Sequence, residues 1–233
     1  MKKTAVLFSL AILFACSCAR AQTDQWGWQL SETPADVIAN PTGTLSQGRP
    51  YQGTPSSVVS KNGKRLFVAW YGDGEDENLE NYVMVCYATG DLKKPTDVKL
   101  VIRSPHVGKV RCCDPALWRE PQGRVWLSWC QTTGEKIFGK VNERGSRYLS
   151  AWGIYCDNPE DDEPVWSAPR RLFDGNMMNK PTYLENGDIL YCLCVPLFFN
   201  INDLRSREEG LWIYRSKDNG QTFEKNSGVR LPS

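Results

Sequence analysis

The sequence predicts an all-β protein built from repeated antiparallel units, and three observations lead to this prediction. The chain of 233 residues contains 19 glycines and 14 prolines, which indicates many turns and no long helices. Hydrophobic residues make up 41% of the chain and include nine tryptophans, so a folded core is expected. A hairpin pattern also recurs three times along the chain, at a spacing of about 60 residues.

Each repeat begins with a predicted β-hairpin. A short apolar run, a turn that contains glycine, and a second run rich in β-branched and aromatic residues are typical of two antiparallel strands. We name these strands A and B. The turn glycines are Gly63, Gly123 and Gly187, which lie 60 and then 64 residues apart.

Two further strands, C and D, complete each unit. Strand C is predicted over residues 82–88, 149–156 and 211–215. Strand D is predicted over residues 98–102, and more weakly after Trp166 and after Phe223. Four antiparallel strands that recur every 60 or so residues are typical of the blades of a β-propeller.

The charge balance argues against nucleic acid as a partner. The chain has 28 basic and 27 acidic side chains, which give a formal net charge of +1. Binding to phosphates needs a clear basic excess or a basic stripe, and the sequence has neither. We therefore expect no nucleic-acid partner.

Residues 1–21 have the pattern of an export signal. Two lysines precede an apolar run over residues 5–15, which is too short to span a bilayer. Two processing routes fit: cleavage after Ala21, or a lipoprotein signal that ends before Cys16 and leaves a lipid anchor there. Both predict an exported bacterial protein without a membrane span, either periplasmic, secreted or an outer-membrane lipoprotein.

Seven of the nine cysteines lie outside this signal, and an odd number cannot all pair. Two interpretations remain open for them, namely small buried apolar residues and disulfide partners. None has CxxC spacing, and His106 is the only histidine, so we expect no metal site and no cofactor.

The third repeat contains a motif that points to a family. Ser216, Asp218, Gly220, Thr222 and Phe223 occupy all five defined positions of the pattern S-x-D-x-G-x-T-[WF]. This segment resembles the Asp-box of bacterial BNR-repeat sialidase-like proteins, the exo-α-sialidase or neuraminidase-like family. The resemblance implies a structural turn in which Asp218 accepts backbone hydrogen bonds, and no catalytic role.

Other segments of the three repeats are similar to the first three blades of this family. They are residues 65–75, 114–127 and 177–187. The resemblance covers residues 49–231 and implies a sialidase-like six-bladed β-propeller, of which about three four-stranded blades are present. We therefore expect a signal over residues 1–21, a lead-in segment over residues 22–48, and a partial propeller over residues 49–233.

Six blades at this spacing need about 360 residues, more than the chain contains. We therefore expect the chain to be the N-terminal half of a longer protein. The alternative is that two three-bladed halves close into one ring as a dimer.

Strand order divides the loops between two faces of the predicted blades. The short A–B and C–D turns lie on one face, whereas the long B–C and D–A connections lie on the other. Function usually resides on long loops over a rigid frame, so the site is expected on the second face. The candidate residues beside the central channel are Arg49, Asp73, Glu75, Arg111, Asp114, Asn179 and Lys180.

The resemblance implies a glycoside hydrolase similar to exo-α-sialidases, which removes terminal sugars from glycans. Its general acid would be Glu75 or Asp73, and Glu75 is preferred because it reaches further inward. The alternative for both carboxylates is a merely solvated acidic loop. Arg111 would hold a substrate carboxylate or pair with Asp114. The residues expected to bind the substrate are Arg49, Arg111, Asp114, Asn179 and Lys180.

A glycan-binding propeller without catalytic activity is the second class of function, and a protein-interaction propeller is a third. Sialidases begin the first strand A with Arg-Ile-Pro, whereas this chain has Gly53, Thr54 and Pro55. Arg49 replaces that arginine only if its loop folds back. The tyrosine nucleophile of the family, its glutamate partner and two further arginines would lie beyond Ser233.

Overall fold

Three antiparallel β-sheets make up the part of the chain that the structure describes. The structure is a computed structural model that describes residues 30–46, 50–90, 96–133, 149–177, 179–195 and 210–229. The expected signal, with Cys16, and the candidate Arg49 lie outside these ranges. Within them, helical geometry is confined to residues 30–31 and the 3-10 turn Gly43–Ser46, and no helix is long and apolar enough to cross a membrane.

The three sheets follow one another along the chain. The first contains β1 (Asp36–Ala39), β2 (Gln52–Val59), β3 (Arg65–Gly72), β4 (Tyr82–Thr89) and β5 (Leu100–Arg103). The second contains β6 (Val110–Arg119), β7 (Val125–Thr133), β8 (Leu149–Cys156) and β9 (Arg170–Asp174). The third contains β10 (Thr182–Tyr183), β11 (Ile189–Val195), β12 (Gly210–Ser216) and β13 (Glu224–Val229).

The second and third sheets each have four strands in sequence order, as the repeat predicts. The first sheet has a fifth strand, because β1 from the lead-in segment pairs antiparallel with β5. The expectation of four strands is therefore wrong for this sheet. Strand β1 has only four residues, too few to show an alternating pattern, and its partner lies more than 60 residues away in sequence.

The three A–B turns share one geometry. In each, the amide of the turn glycine donates a hydrogen bond to the carbonyl three residues earlier: Gly63 to Ser60, Gly123 to Glu120 and Gly187 to Leu184, at 2.9, 3.0 and 2.9 Å. The glycines have φ angles of 75°, 119° and 87°, which side chains disfavour. The structure therefore confirms the predicted internal repeat.

The core lies between successive sheets. Alternation along β3 turns Phe67, Ala69 and Tyr71 toward the second sheet, where they are buried in one apolar cluster with Leu127 and Trp129 of β7. A second cluster joins the second and third sheets, and its buried aromatic side chains are Trp118, Trp126, Phe173 and Tyr191. Face-to-face packing of consecutive sheets is typical of neighbouring propeller blades.

Strand β2 is approached by β6 and by the residue that precedes β10. The Leu117 amide of β6 donates to the Ser56 hydroxyl of β2 at 2.9 Å. Lys180, which lies just before β10, donates through Nζ to the carbonyl of Ser57. Strands β2, β6 and β10 are therefore the inner edges of a propeller-like arrangement.

The lead-in segment joins the first two sheets. The Ser31 carbonyl accepts hydrogen bonds from Gln131 Nε2 at 2.9 Å, Ser150 Oγ at 2.7 Å and Trp152 Nε1 at 3.2 Å, all on the second sheet. A few residues later β1 pairs with the first sheet. The start of the described chain is therefore attached to both sheets.

Candidate functional site

One end of the sheets brings together the loop after β3 and the first residues of β6. We call residues 73–81 the acidic loop and this end of the sheets the long-loop end. The Cys112 amide of β6 donates to the Asn81 carbonyl at 3.0 Å, which holds the last residue of the loop against the second sheet. The acidic loop is thereby fixed beside the inner edge of the second sheet.

Glu77 is the best-anchored carboxylate of the acidic loop. Its Oε1 accepts hydrogen bonds from the phenols of Tyr71 at 2.7 Å and Tyr51 at 3.1 Å, and its Oε2 pairs with Arg111 Nη1 at 3.3 Å. Burial alone raises the pKa of Glu77, but the Tyr71 hydrogen bond and the Arg111 charge outweigh it and lower the pKa below its ordinary value. Glu77 is therefore a carboxylate with both oxygens occupied.

The two tyrosines act as hydrogen-bond donors. Burial of Tyr71, together with its hydrogen bonds to Tyr51 and Glu77, raises the pKa of its phenol far above the ordinary value. Burial likewise raises the pKa of Tyr51. The rings are tilted against each other with centroids 5.9 Å apart. Both phenols stay protonated at neutral pH and donate hydrogen bonds to Glu77.

Arg111 is a buried cation, only 6% exposed. Its guanidinium lies 5.7 Å from the centroid of the Tyr71 ring, and its Nη1 also donates to Asn81 Oδ1 at 3.4 Å. Its buried Nε has no hydrogen-bond partner among the described residues. The sequence interpretation that pairs Arg111 with Asp114 is wrong in its partner, because the ion pair forms with Glu77.

The two predicted general acids lie at the beginning of the acidic loop. Asp73 has a φ of 104°, its Oδ1 accepts from the Gly74 amide at 3.0 Å, and its carbonyl accepts from Asn81 Nδ2 at 2.6 Å. Glu75 is exposed, and its carboxylate has no hydrogen bond to another described residue. Asp73 therefore shapes the loop, whereas Glu75 faces solvent.

Asp114 lies in a bulge of β6, where the pairing with β7 shifts between Cys113 and Ala116. Its φ of 49° belongs to this bulge, and the proline that follows cannot donate to the ladder. Its Oδ2 accepts from Asn176 Nδ2 at 2.7 Å, and the Asn176 backbone pairs with Cys194 of β11. Asp114 therefore connects the second and third sheets.

The predicted residues before β10 are exposed. Asn179 and Lys180 precede this strand, and Lys180 reaches the Ser57 carbonyl of the first sheet. The structure therefore brings Arg111 together with the acidic loop and brings Lys180 to β2. It does not bring Arg111 and Lys180 into contact with each other.

Sequence reasoning missed Tyr51, Tyr71 and Glu77. One signal was available for Tyr71, because alternation along β3 places it on the same face as the buried Phe67. No comparable pattern distinguishes Glu77 from the other acids of its loop, since its partners come from three separate segments.

The Asp-box forms a turn at the opposite end of the third sheet. Asp218 Oδ1 accepts from the Thr222 amide at 2.8 Å and from Ser216 Oγ at 2.8 Å, and Ser216 Oγ in turn accepts from the Gly220 amide at 2.8 Å. Hydrogen bonds, first of all from Thr222, lower the pKa of Asp218 to about 2. Phe223 packs against Tyr191 with centroids 5.0 Å apart. Every one of these polar contacts stays within the turn.

A cavity of about 330 Å³ lies on the face of the first sheet that is turned away from the second sheet. It is lined by Gln52, Gly53, Pro55, Val68 and Trp70. The indole Nε1 of Trp70 is buried without a hydrogen-bond partner among the described residues. The cavity therefore combines the indole of Trp70 with the amide side chain of Gln52.

Comparisons with known proteins bear on the fold. No protein-family model matches this chain, and no curated protein matches it. Among solved structures, a protein of unknown function from Dyadobacter fermentans is 14% identical with a TM-score of 0.53, over 84% of this chain and 60% of that chain.

Sialidases also match. The Trypanosoma rangeli sialidase in complex with 2,3-difluorosialic acid is 10% identical with a TM-score of 0.55, over 84% of this chain and 36% of that chain. NanB with Optactamide is 10% identical with a TM-score of 0.54, over 86% of this chain and 47% of that chain. This chain is similar to sialidases in fold and spans 36% to 60% of the length of these three proteins.

Proposed function

We propose that this protein is an exported glycoside hydrolase resembling exo-α-sialidases, which removes terminal sugars from glycans. The observation that supports this proposal is the meeting of the acidic loop with the buried Arg111 beside the inner strands. Glycoside hydrolysis needs carboxylates beside the scissile bond, and this end of the sheets supplies several within one short loop.

Glu75 is proposed as the general acid, with Asp73 as the alternative. A general acid must reach the leaving oxygen of the bound glycoside. Glu77 cannot do so, because hydrogen bonds and the ion pair with Arg111 occupy both of its oxygens. Glu75 is exposed on the same loop and is free to approach a ligand.

Arg111 and Glu77 are proposed to position this loop. Their ion pair joins the loop to the inner strand β6, so that a sugar bound near the inner strands would meet Glu75. Asn179 and Lys180, which are exposed before β10, and Asp114 are proposed to contact the substrate. Arg49 keeps that role as a prediction from the sequence.

The test compares Glu75→Gln and Asp73→Asn on two substrates. One is an aryl glycoside with a good leaving group, and the other is a natural glycoside of the same sugar, chosen from a panel that includes sialosides. We expect Glu75→Gln to lower kcat/KM by about 100-fold or more on the natural glycoside and far less on the aryl glycoside, which needs little protonation.

Glu80→Gln is the matched control, because Glu80 is an exposed acid of the same loop. It should leave both activities unchanged. An equal loss on both substrates, or no loss on either, would exclude Glu75 as the general acid.

A glycan-binding protein without catalytic activity is the second candidate. The cavity beside Trp70 and Gln52 favours it, as does Thr54 at the place where sialidases carry an arginine. In that case Trp70→Ala should abolish glycan binding measured by calorimetry, and no glycoside of the panel should be hydrolysed. Hydrolysis of any glycoside of the panel, or glycan binding that survives Trp70→Ala, would contradict it.

A further inference from the structure

Two buried cysteines face each other across the second sheet. Cys113 of β6 and Cys130 of β7 are direct register partners, and each is 1% exposed. The Cys113 side chain, together with burial, raises the pKa of the Cys130 thiol. Residues opposite each other in an antiparallel pair have Cα atoms about 4.5 to 5.5 Å apart, which lies within the range of about 4.4 to 6.8 Å that disulfides require.

No other cysteine of the described strands has a cysteine as its register partner. The five others pair with residues of other types: Cys86 with Val68, Cys112 with Gln131, Cys156 with Val125, Cys192 with Ile213 and Cys194 with Leu211. The adjacent Cys112 is therefore not equivalent to Cys113. This pattern singles out one pair from the seven cysteines.

We propose that Cys113 and Cys130 form a disulfide in the exported protein. The proposal rests on the export part of the proposed function, because an oxidising compartment is needed. The oxidant is the disulfide of a dithiol oxidase or of glutathione. One thiolate attacks that disulfide and releases one thiol, and the second thiolate then displaces the other. Both cysteine protons are lost, and the oxidant gains two electrons as two thiols.

The disulfide would form during folding. In the folded protein both cysteines are buried in an apolar cluster, where an oxidant has no access. The bond would close a hairpin loop of residues 113–130 and fix β6 at the bulge that carries Asp114. It would therefore hold the inner strand of the second sheet in place below the long-loop end.

Peptide mapping tests the proposal directly. The protein is exported to the periplasm of an expression host, alkylated in denaturant without reductant, and digested with trypsin. Cleavage yields two separate peptides: residues 112–119, which contain Cys113, and residues 125–136, which contain Cys130. We expect one linked species that disappears on reduction. Its absence from periplasmic material would overturn the proposal, whatever the activity of the protein.

Two variants identify the sulfur involved. Cys113→Ala should abolish the linked species, whereas Cys112→Ala, at the buried neighbouring position, should retain it. A link that persists in Cys113→Ala would assign the bond to Cys112 and overturn the proposal. As a second readout, reduction should lower the Tm of Cys112→Ala by about 5 °C and leave that of Cys113→Ala unchanged.

Discussion

Glu77 at the long-loop end and Asp218 in the Asp-box are both carboxylates with lowered pKa values, but their partners differ in origin. Asp218 bonds only to residues within four positions of itself. Glu77 bonds to Tyr51, Tyr71 and Arg111, which are up to 34 positions away. The contacts of Asp218 stabilise one turn, whereas those of Glu77 form only when the first and second sheets pack together.

The largest effect is expected for Arg111→Met, which leaves Glu77 without its counter-ion. Removing one partner of a buried ion pair leaves the other charge uncompensated, so the free energy of unfolding should decrease by about 3 kcal/mol, as measured by urea titration. Glu77→Gln in the Arg111→Met background should restore part of the loss. No recovery in the double variant would show that packing of Arg111 on Tyr71 matters more than charge.

Tyr71→Phe should have an intermediate effect. It removes the shorter of the two phenol hydrogen bonds to Glu77 and keeps the buried ring. A hydrogen bond to a charged group contributes about 1.5 to 3 kcal/mol, so a decrease of about 1.5 kcal/mol in the free energy of unfolding is expected. Tyr51→Phe, which removes the longer bond, is the control and should cost less. The reverse order would assign the main contact to Tyr51.

Asp218→Ala should cost about 1 kcal/mol through lost turn hydrogen bonds, because the turn is half-exposed. It should leave any ligand binding or turnover at the long-loop end unchanged, since its contacts stay within its turn. A variant with unchanged Tm and lost turnover would contradict this separation of the two ends.

The smallest effect concerns pH. A carboxyl with a lowered folded pKa adds stability above its unfolded pKa and loses it as the pH falls through the folded pKa. Glu77 should therefore contribute a loss of stability that begins below about pH 4.5, and Asp218 one that continues toward about pH 2. Denaturant titrations at a series of pH values give the free energy of unfolding as a function of pH. This free energy should fall less steeply at about pH 4 in Glu77→Gln, and less steeply toward about pH 2 in Asp218→Asn. An unchanged profile in either variant would contradict its assignment.

The same contrast explains what the sequence could predict. The three hairpins and the limits of most strands follow from local turn chemistry and alternation, as at Gly63 and Gly187. The loop that carries the candidate site was also identified. Which acid of that loop reaches Arg111 depends on its backbone path, including the positive φ angles of Asp73 and Gly74, and no local pattern encodes that path.

The hydrogen bonds of the Ser31 carbonyl have a consequence for the order of events during synthesis. Ser31 precedes Gln131, Ser150 and Trp152, the three residues to which it bonds, by 100, 119 and 121 positions, so it leaves the ribosome well before them. The segment around Ser31 therefore has no native docking site on the second sheet until β7 and β8 have been made. Such distant contacts slow folding, so the first sheet should reach its final packing only after the second sheet has emerged.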